Sequence, residues 1–224
     1  MPSRALVHVV LSGLAAVAVS SLFNPFTTWG NSVLVLMLQS YVGDRQGAVD
    51  AASLFMLATI AAYPVAAIAL WIWCYRTSRA LKTQRRLKIT PAWAVLWWFI
   101  PLANLYKPYE VMVELWRASD PDGDDHWALY PRSPILPLWW LCWIGGNVAS
   151  SIAGRIAFGM AWRQTGETGA DVGDVGIVMH IAAAALAGTI VYKIQIRGER
   201  LLAKARERSK RRRKRRRALR SAAE

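Results

Sequence analysis

PAWAVLWWFIPLANL, residues 91–105, is apolar enough for a membrane interior and too short to cross one. Fifteen helical residues reach about 22 Å, against a hydrocarbon core of about 30 Å, and Pro101 removes a backbone donor near the end of the run. The side on which the rest of the chain lies depends on whether this piece crosses. Two longer apolar stretches follow, 135–158 and 176–192, and behind the second comes a tail, 193–220, with fifteen Lys or Arg in twenty-eight positions. Positive charge beside a span is retained on the cytoplasmic side. A crossing at 91–105 would leave that tail outside, whereas a piece that dips in and returns keeps it inside. We therefore expect a re-entrant or interfacial hairpin over 91–118: Pro91 opens a half-helix, Pro101 and Pro108 interrupt it, and an amphipathic helix over 109–118 runs back along the interface. Val111, Met112, Leu115 and Trp116 share one face of that helix, and Lys107, Glu110, Glu114 and Arg117 the other, where ordinary solvated ion pairs are expected.

Upstream, 5–23 is apolar apart from His8, follows Arg4 and ends at Asn24-Pro25, which reads as a first span entering from the cytoplasm. The same features fit a cleaved secretory signal, which would leave the later topology unchanged. A short apolar piece at 33–41 belongs to an outer loop. The second span, 51–75, carries Pro64 at its middle, where a bend is expected, and Trp71, Trp73 and Tyr75 at its inner end as an aromatic belt. Arg76, Arg79, Lys82, Arg85, Arg86 and Lys88 then mark a cytoplasmic loop. Residues 119–132, SDPDGDDHWALYPR, form a second hydrophilic loop with Asp120, Asp122, Asp124 and Asp125. Trp139, Trp140 and Trp143 sit near the inner end of the third span, and 163–175 returns outside. The expectation is an all-α bundle with four crossings, both termini cytoplasmic, divided into a membrane domain (1–192) and a basic tail (193–224).

Composition agrees with this. A chain of 224 residues, 54% apolar, with twelve Trp leaves no room for a separate catalytic domain, and nearly all of the +14 formal charge sits in the tail. Cys74 and Cys142 have no framework spacing and read as buried reduced thiols. His8, His126 and His180 fall at different depths, so no metal site and no cofactor are expected. The chain carries no GxSxG, HExxH, phosphate-loop or dinucleotide fingerprint, and an enzyme is not expected.

Pro91-x-Trp93, Trp98-Phe99-Ile100-Pro101-Leu102-Ala103-Asn104, Lys107-Pro108-Tyr109 and Glu114-Leu115-Trp116-Arg117-Ala118-Ser119 resemble a bacterial family catalogued as domain of unknown function 4328. Trp139, Trp140 and Asn147 resemble the Trp-rich span that follows, and the resemblance covers about 51–192 without the basic tail. It implies an integral bacterial membrane protein and no particular activity, and the cytoplasmic membrane is the expected location.

Four polar residues within the apolar runs are candidates for an intramembrane site. Asn104, after the break in the half-helix, and Asn147, eleven residues into its span, are expected near the midplane, either as an interhelical hydrogen bond or as a site for an ion or small solute. Asn147, Ser151 and Arg155 line one stripe, beside a small-residue stripe of Gly146, Ser150 and Gly154 that permits close helix approach. Arg155 reaches toward the outer headgroups, with His180 expected at similar depth on the last span. In the tail, helix is expected to continue from the last span up to the nearly pure basic run Lys210, Arg211, Arg212, Arg213, Lys214, Arg215, Arg216 and Arg217. Anionic lipid of the inner leaflet is the leading partner of that run. The acidic loop, in cis or on another protein, is a further one, and nucleic acid is disfavoured because no aromatic side chain interleaves with the cations. Function then lies between a non-enzymatic scaffold or anchor and a small-solute or ion transporter built on the re-entrant element, the latter as a homo-oligomer.

Overall fold

A computed structural model of the chain describes residues 1–22, 40, 45–123, 127–129, 131, 133–161 and 168–221. Among them every regular element is helical: α1 (Arg4–Leu22), α2 (Arg45–Lys82), the single turn α3 (Trp93–Leu96), α4 (Lys107–Ala118), α5 (Ile135–Ala161) and α6 (Thr168–Ser221), with 3-10 turns at Ala103–Leu105 and Trp127–Leu129. The all-α class is as expected. The apolar piece at 33–41 falls outside the described residues apart from Ser40, as do Asp124, Asp125, His126, residues 163–167 and the Arg217 side chain.

Several boundaries differ from expectation for local reasons. Helix α2 extends well beyond the expected 51–75, with Pro64 inside it. The half-helix after Pro91 is one turn, and Pro108 lies in the first turn of α4. Proline is tolerated there because the first amides of a helix have no intrahelical acceptor, so Pro108 helps start α4 rather than breaking it. Helix α6 has 54 residues, about 81 Å at 1.5 Å per residue, and continues through the basic run to Ser221. Arg, Lys, Ala and Leu are strong helix formers, which offsets the repulsion between successive cations.

Two helical stretches are long and apolar enough to cross a membrane, Ile135–Ala153 and one within Val175–Arg216, while the apolar part of α1, Arg4–Ala18, is shorter. Two crossings of the expected four thus meet that criterion on the described residues.

The chain divides into two compact units. The first comprises Met1–Val7, Trp71–Arg132 and Ile190–Glu224, and its core is made of large side chains: Trp73, Leu81, Val111, Met112, Leu115, Ile190 and Ile194 are buried. Trp73 is thus a core residue and not part of an aromatic belt; Trp71 instead packs on Phe99 at 4.7 Å.

The second unit comprises His8–Leu70 and Ser133–Thr189. Apart from residues such as Val10, Leu136 and Trp139, it is small inside and large outside: Ala66, Ala69, Ala183, Ala184 and Ala187 are buried, while Leu54 and Leu141 are 68% and 66% exposed. Helices α5 and α6 run antiparallel in close contact. A Cβ added to Gly146 would lie 3.0 Å from the His180 ring, and one added to Gly176 would lie 2.8 Å from Ser150 Oγ. A similar approach joins α1 to α2, where a Cβ on Gly13 would meet Ala66 at 3.0 Å. Small residues at contacts and large apolar ones outside are the arrangement of helices packed in lipid, where tails solvate Leu as well as a protein core does.

Candidate functional site

In the first unit, the basic loop after α2, the acidic loop after α4 and the start of the tail come together. Arg85 donates to the backbone carbonyls of Asp120 at 3.2 Å and Gly123 at 2.6 Å, which shapes the acidic loop. The shaped loop presents its carboxylates to α6: Arg197 Nη2 lies 2.6 Å from Asp120 Oδ2, and Lys204 Nζ lies 2.6 Å from Asp122 Oδ1. The Arg197 guanidinium also stacks over Trp116 at 4.8 Å. Lys204 holds the Asp122 carboxyl below its ordinary range. The N-terminus fastens the other side of α6, where Gln195 Nε2 donates to the Pro2 carbonyl at 3.1 Å and Arg4 pairs with Glu199 at 3.3 Å.

A groove of about 740 Å³ runs beside this clasp, between Gln84, Arg85 and Pro121 on one side and Arg208, Ser209, Arg212, Arg213 and Arg216 on the other. Of the basic run, Lys210–Arg216 are all exposed; Arg212, Arg213 and Arg216 face the groove, and Lys210, Arg211, Lys214 and Arg215 do not line it. The acidic loop is therefore engaged in cis, by cations at the base of the tail that precede the run.

Helix α4 is amphipathic as expected, with one difference. Glu110 pairs with Lys107 at 2.7 Å on the surface. Glu114 is half-buried, and its carboxylate accepts the backbone N–H groups of Lys88 and Ile89, so it is not part of a solvated ion-pair face. Burial pushes its carboxyl up, against the pull of those two donors.

The intramembrane candidates divide between the two units. Asn104, in the first unit, has a buried Oδ1 with no hydrogen-bond partner among the described residues. Asn147, in the second, is exposed and donates to the Trp143 carbonyl of its own helix at 2.7 Å. His180 packs at the level of Gly146, about 13 Å along α5 from Arg155, and is not its neighbour; Arg155 is exposed. The stripe of small residues does pack, at Gly146 and Ser150.

Sequence reasoning missed the convergence of Arg86, Lys88, Lys107 and Arg117 around Glu114, which lines a cavity of about 510 Å³. The available signal was the excess of cations over acids in the segments flanking residues 91–105.

A family model described as Domain of unknown function (DUF4328) matches residues 43–196, more than half of the chain. No curated protein and no solved structure matches it.

Proposed function

The chain belongs to the DUF4328 family, and from that premise we propose that it is a multi-pass protein of the bacterial cytoplasmic membrane, a non-enzymatic anchor that presents a basic helical tail to anionic lipid or an acidic partner. The observation that carries this is the grouping of Met1–Val7, Trp71–Arg132 and Ile190–Glu224 in one compact unit. Four crossings with 91–118 as an interfacial hairpin put those three segments, and no others, on the cytoplasmic side. A crossing at 91–105 would separate 106–132 from the N-terminal residues with which the unit groups it. The small-in, large-out packing of the second unit supports lipid as its solvent, and the positive charge of the first supports the cytoplasmic face as its side.

Within this arrangement the pairs from Arg197 and Lys204 to the acidic loop set the direction of α6 ahead of the basic run, so Lys210–Arg216 present a continuous helical cationic surface. Each cation held near an anionic leaflet contributes about 1 kcal/mol. The test is cysteine labelling at Asp122 in a chain lacking Cys74 and Cys142, paired with deletion of 210–221. Protection of position 122 from membrane-impermeant reagent in intact cells is expected, together with weaker binding to vesicles containing anionic lipid on deletion. Labelling from outside would overturn the topology, and vesicle binding unchanged by the deletion would overturn the role of the tail.

A transporter reading is favoured by the unpartnered Asn104 Oδ1. It is the weaker of the two, because the Asn147 amide donates to the Trp143 carbonyl of its own helix. Solute flux in proteoliposomes that is abolished by Asn104→Leu would reverse that order.

A further inference from the structure

We infer that the cavity between the basic loop after α2 and helix α4 is a binding site for the phosphate headgroup of a membrane lipid, distinct from the tail. Three observations meet there. The cavity holds about 510 Å³ and is lined by Arg86, Lys88, Lys107 and Arg117 against Glu110 and Glu114, a net excess of cations. Both acids are already engaged, Glu110 by Lys107 and Glu114 by the backbone amides of Lys88 and Ile89. Arg86, Lys88 and Arg117 form no ion pair among the described residues, and Arg117 Nε is buried without a hydrogen-bond partner. Unpaired cations gathered around one cavity repel one another, and an anionic oxygen acceptor relieves that cost.

The lining also indicates that the phosphate arrives on a lipid. Tyr106 lines the cavity and is 51% exposed, and Leu105 and Leu102, which precede it in the chain, are 57% and 79% exposed. Acyl chains on a phosphate seated between Arg86 and Arg117 would add apolar contact with side chains of this kind. A soluble phosphate would use the cations alone.

The test uses the full chain in dodecyl maltoside and calorimetric titration with dihexanoyl phosphatidic acid, dihexanoyl phosphatidylcholine, glycerol 3-phosphate and inorganic phosphate. The expected order is phosphatidic acid tightest, with glycerol 3-phosphate at least about tenfold weaker because the chains contribute apolar burial. Arg86→Gln with Lys88→Gln weakens phosphatidic acid by at least about tenfold. Arg117→Lys, which keeps the charge but replaces the forked guanidinium with an ammonium, also weakens it, with the unfolding midpoint preserved as a check on folding. Deletion of 210–221 leaves the affinity unchanged, which separates this site from the lipid-binding role proposed for the tail. Equal affinity for inorganic phosphate and phosphatidic acid would overturn the lipid assignment. Unchanged binding in both variants, or loss of binding on tail deletion, would overturn the site.

Discussion

Replacing Asp120 with asparagine separates two ion pairs of the same length. Arg197 and Asp120 approach to 2.6 Å with side chains 23% and 30% exposed, and Lys204 and Asp122 approach to the same 2.6 Å with side chains 49% and 80% exposed. Distance alone makes them equal, so any difference must come from solvent. A hydrogen bond between charged groups shielded from water contributes about 1.5–3 kcal/mol, while exposed pairs contribute little because water screens them and two long side chains lose freedom. Partial exposure puts Arg197–Asp120 at the low end, about 1.5 kcal/mol. Asp120→Asn leaves the backbone carbonyl that Arg85 holds at 3.2 Å, so the loop keeps its shape. The stacking of Arg197 on Trp116 is lost only in Arg197→Gln, and a double-mutant cycle subtracts it. The assay is unfolding by dodecyl sulfate titrated into dodecyl maltoside, for Asp120→Asn with Arg197→Gln and for Asp122→Asn with Lys204→Gln. A coupling of about 1–1.5 kcal/mol that survives added salt is expected for the first cycle, and none that survives salt for the second. Equal couplings, or none between Asp120 and Arg197, would refute the assignment of the clasp to the shielded pair.

Three further outcomes follow from the same packing. Gly176→Ala lowers the unfolding midpoint, at a cost of about 1–3 kcal/mol, because the new Cβ meets the Ser150 backbone nitrogen as well as its hydroxyl. Gly145→Ala meets only the flexible end of Met179 and costs less than about 1 kcal/mol; the same titration ranks the two, and the reverse order would contradict the α5–α6 packing. Glu114 gives a pH dependence of known sign: its carboxyl is raised above the ordinary 4.5 by burial, so its contribution to stability is complete below that pH and is lost as pH rises through the raised value. Glu114→Gln should flatten the midpoint-against-pH curve in that window, which lies above that of Asp122, whose carboxyl is held below its ordinary 3.8 by Lys204. Finally, truncating Met1–Arg4 removes the contacts of Pro2 with Gln195 and of Arg4 with Glu199, and limited proteolysis should then cut α6 sooner near residue 198.

Local pattern carried most of the helix positions. The apolar lengths, the charge burst after residue 75 and the prolines around 91–108 are one-dimensional signals, and α1, α2, α5 and α6 cover the stretches they mark. Where a residue's role depended on what faces it, pattern was a poor guide. Trp73 carries the same aromatic signal as a belt residue yet is fully buried, and Glu114 sits at surface spacing yet caps two amides from a loop 25 residues away. Asn104 and Asn147 look alike in sequence, yet among the described residues one keeps a buried unpartnered oxygen and the other donates to its own helix.

Residue order and charge alone determined that the chain is helical, that its apolar runs have bilayer-scale lengths and that its cations gather at one end, because hydrophobic periodicity and charge asymmetry are properties of neighbours along the chain. Tertiary structure alone decided which cations share a cavity, which carboxylate clasps the tail and which glycines touch. Those depend on segments such as 84–88, 114–123 and 197–204 meeting in space, and side-chain geometry at such meetings is fixed by packing between helices rather than by anything within reach of a single turn.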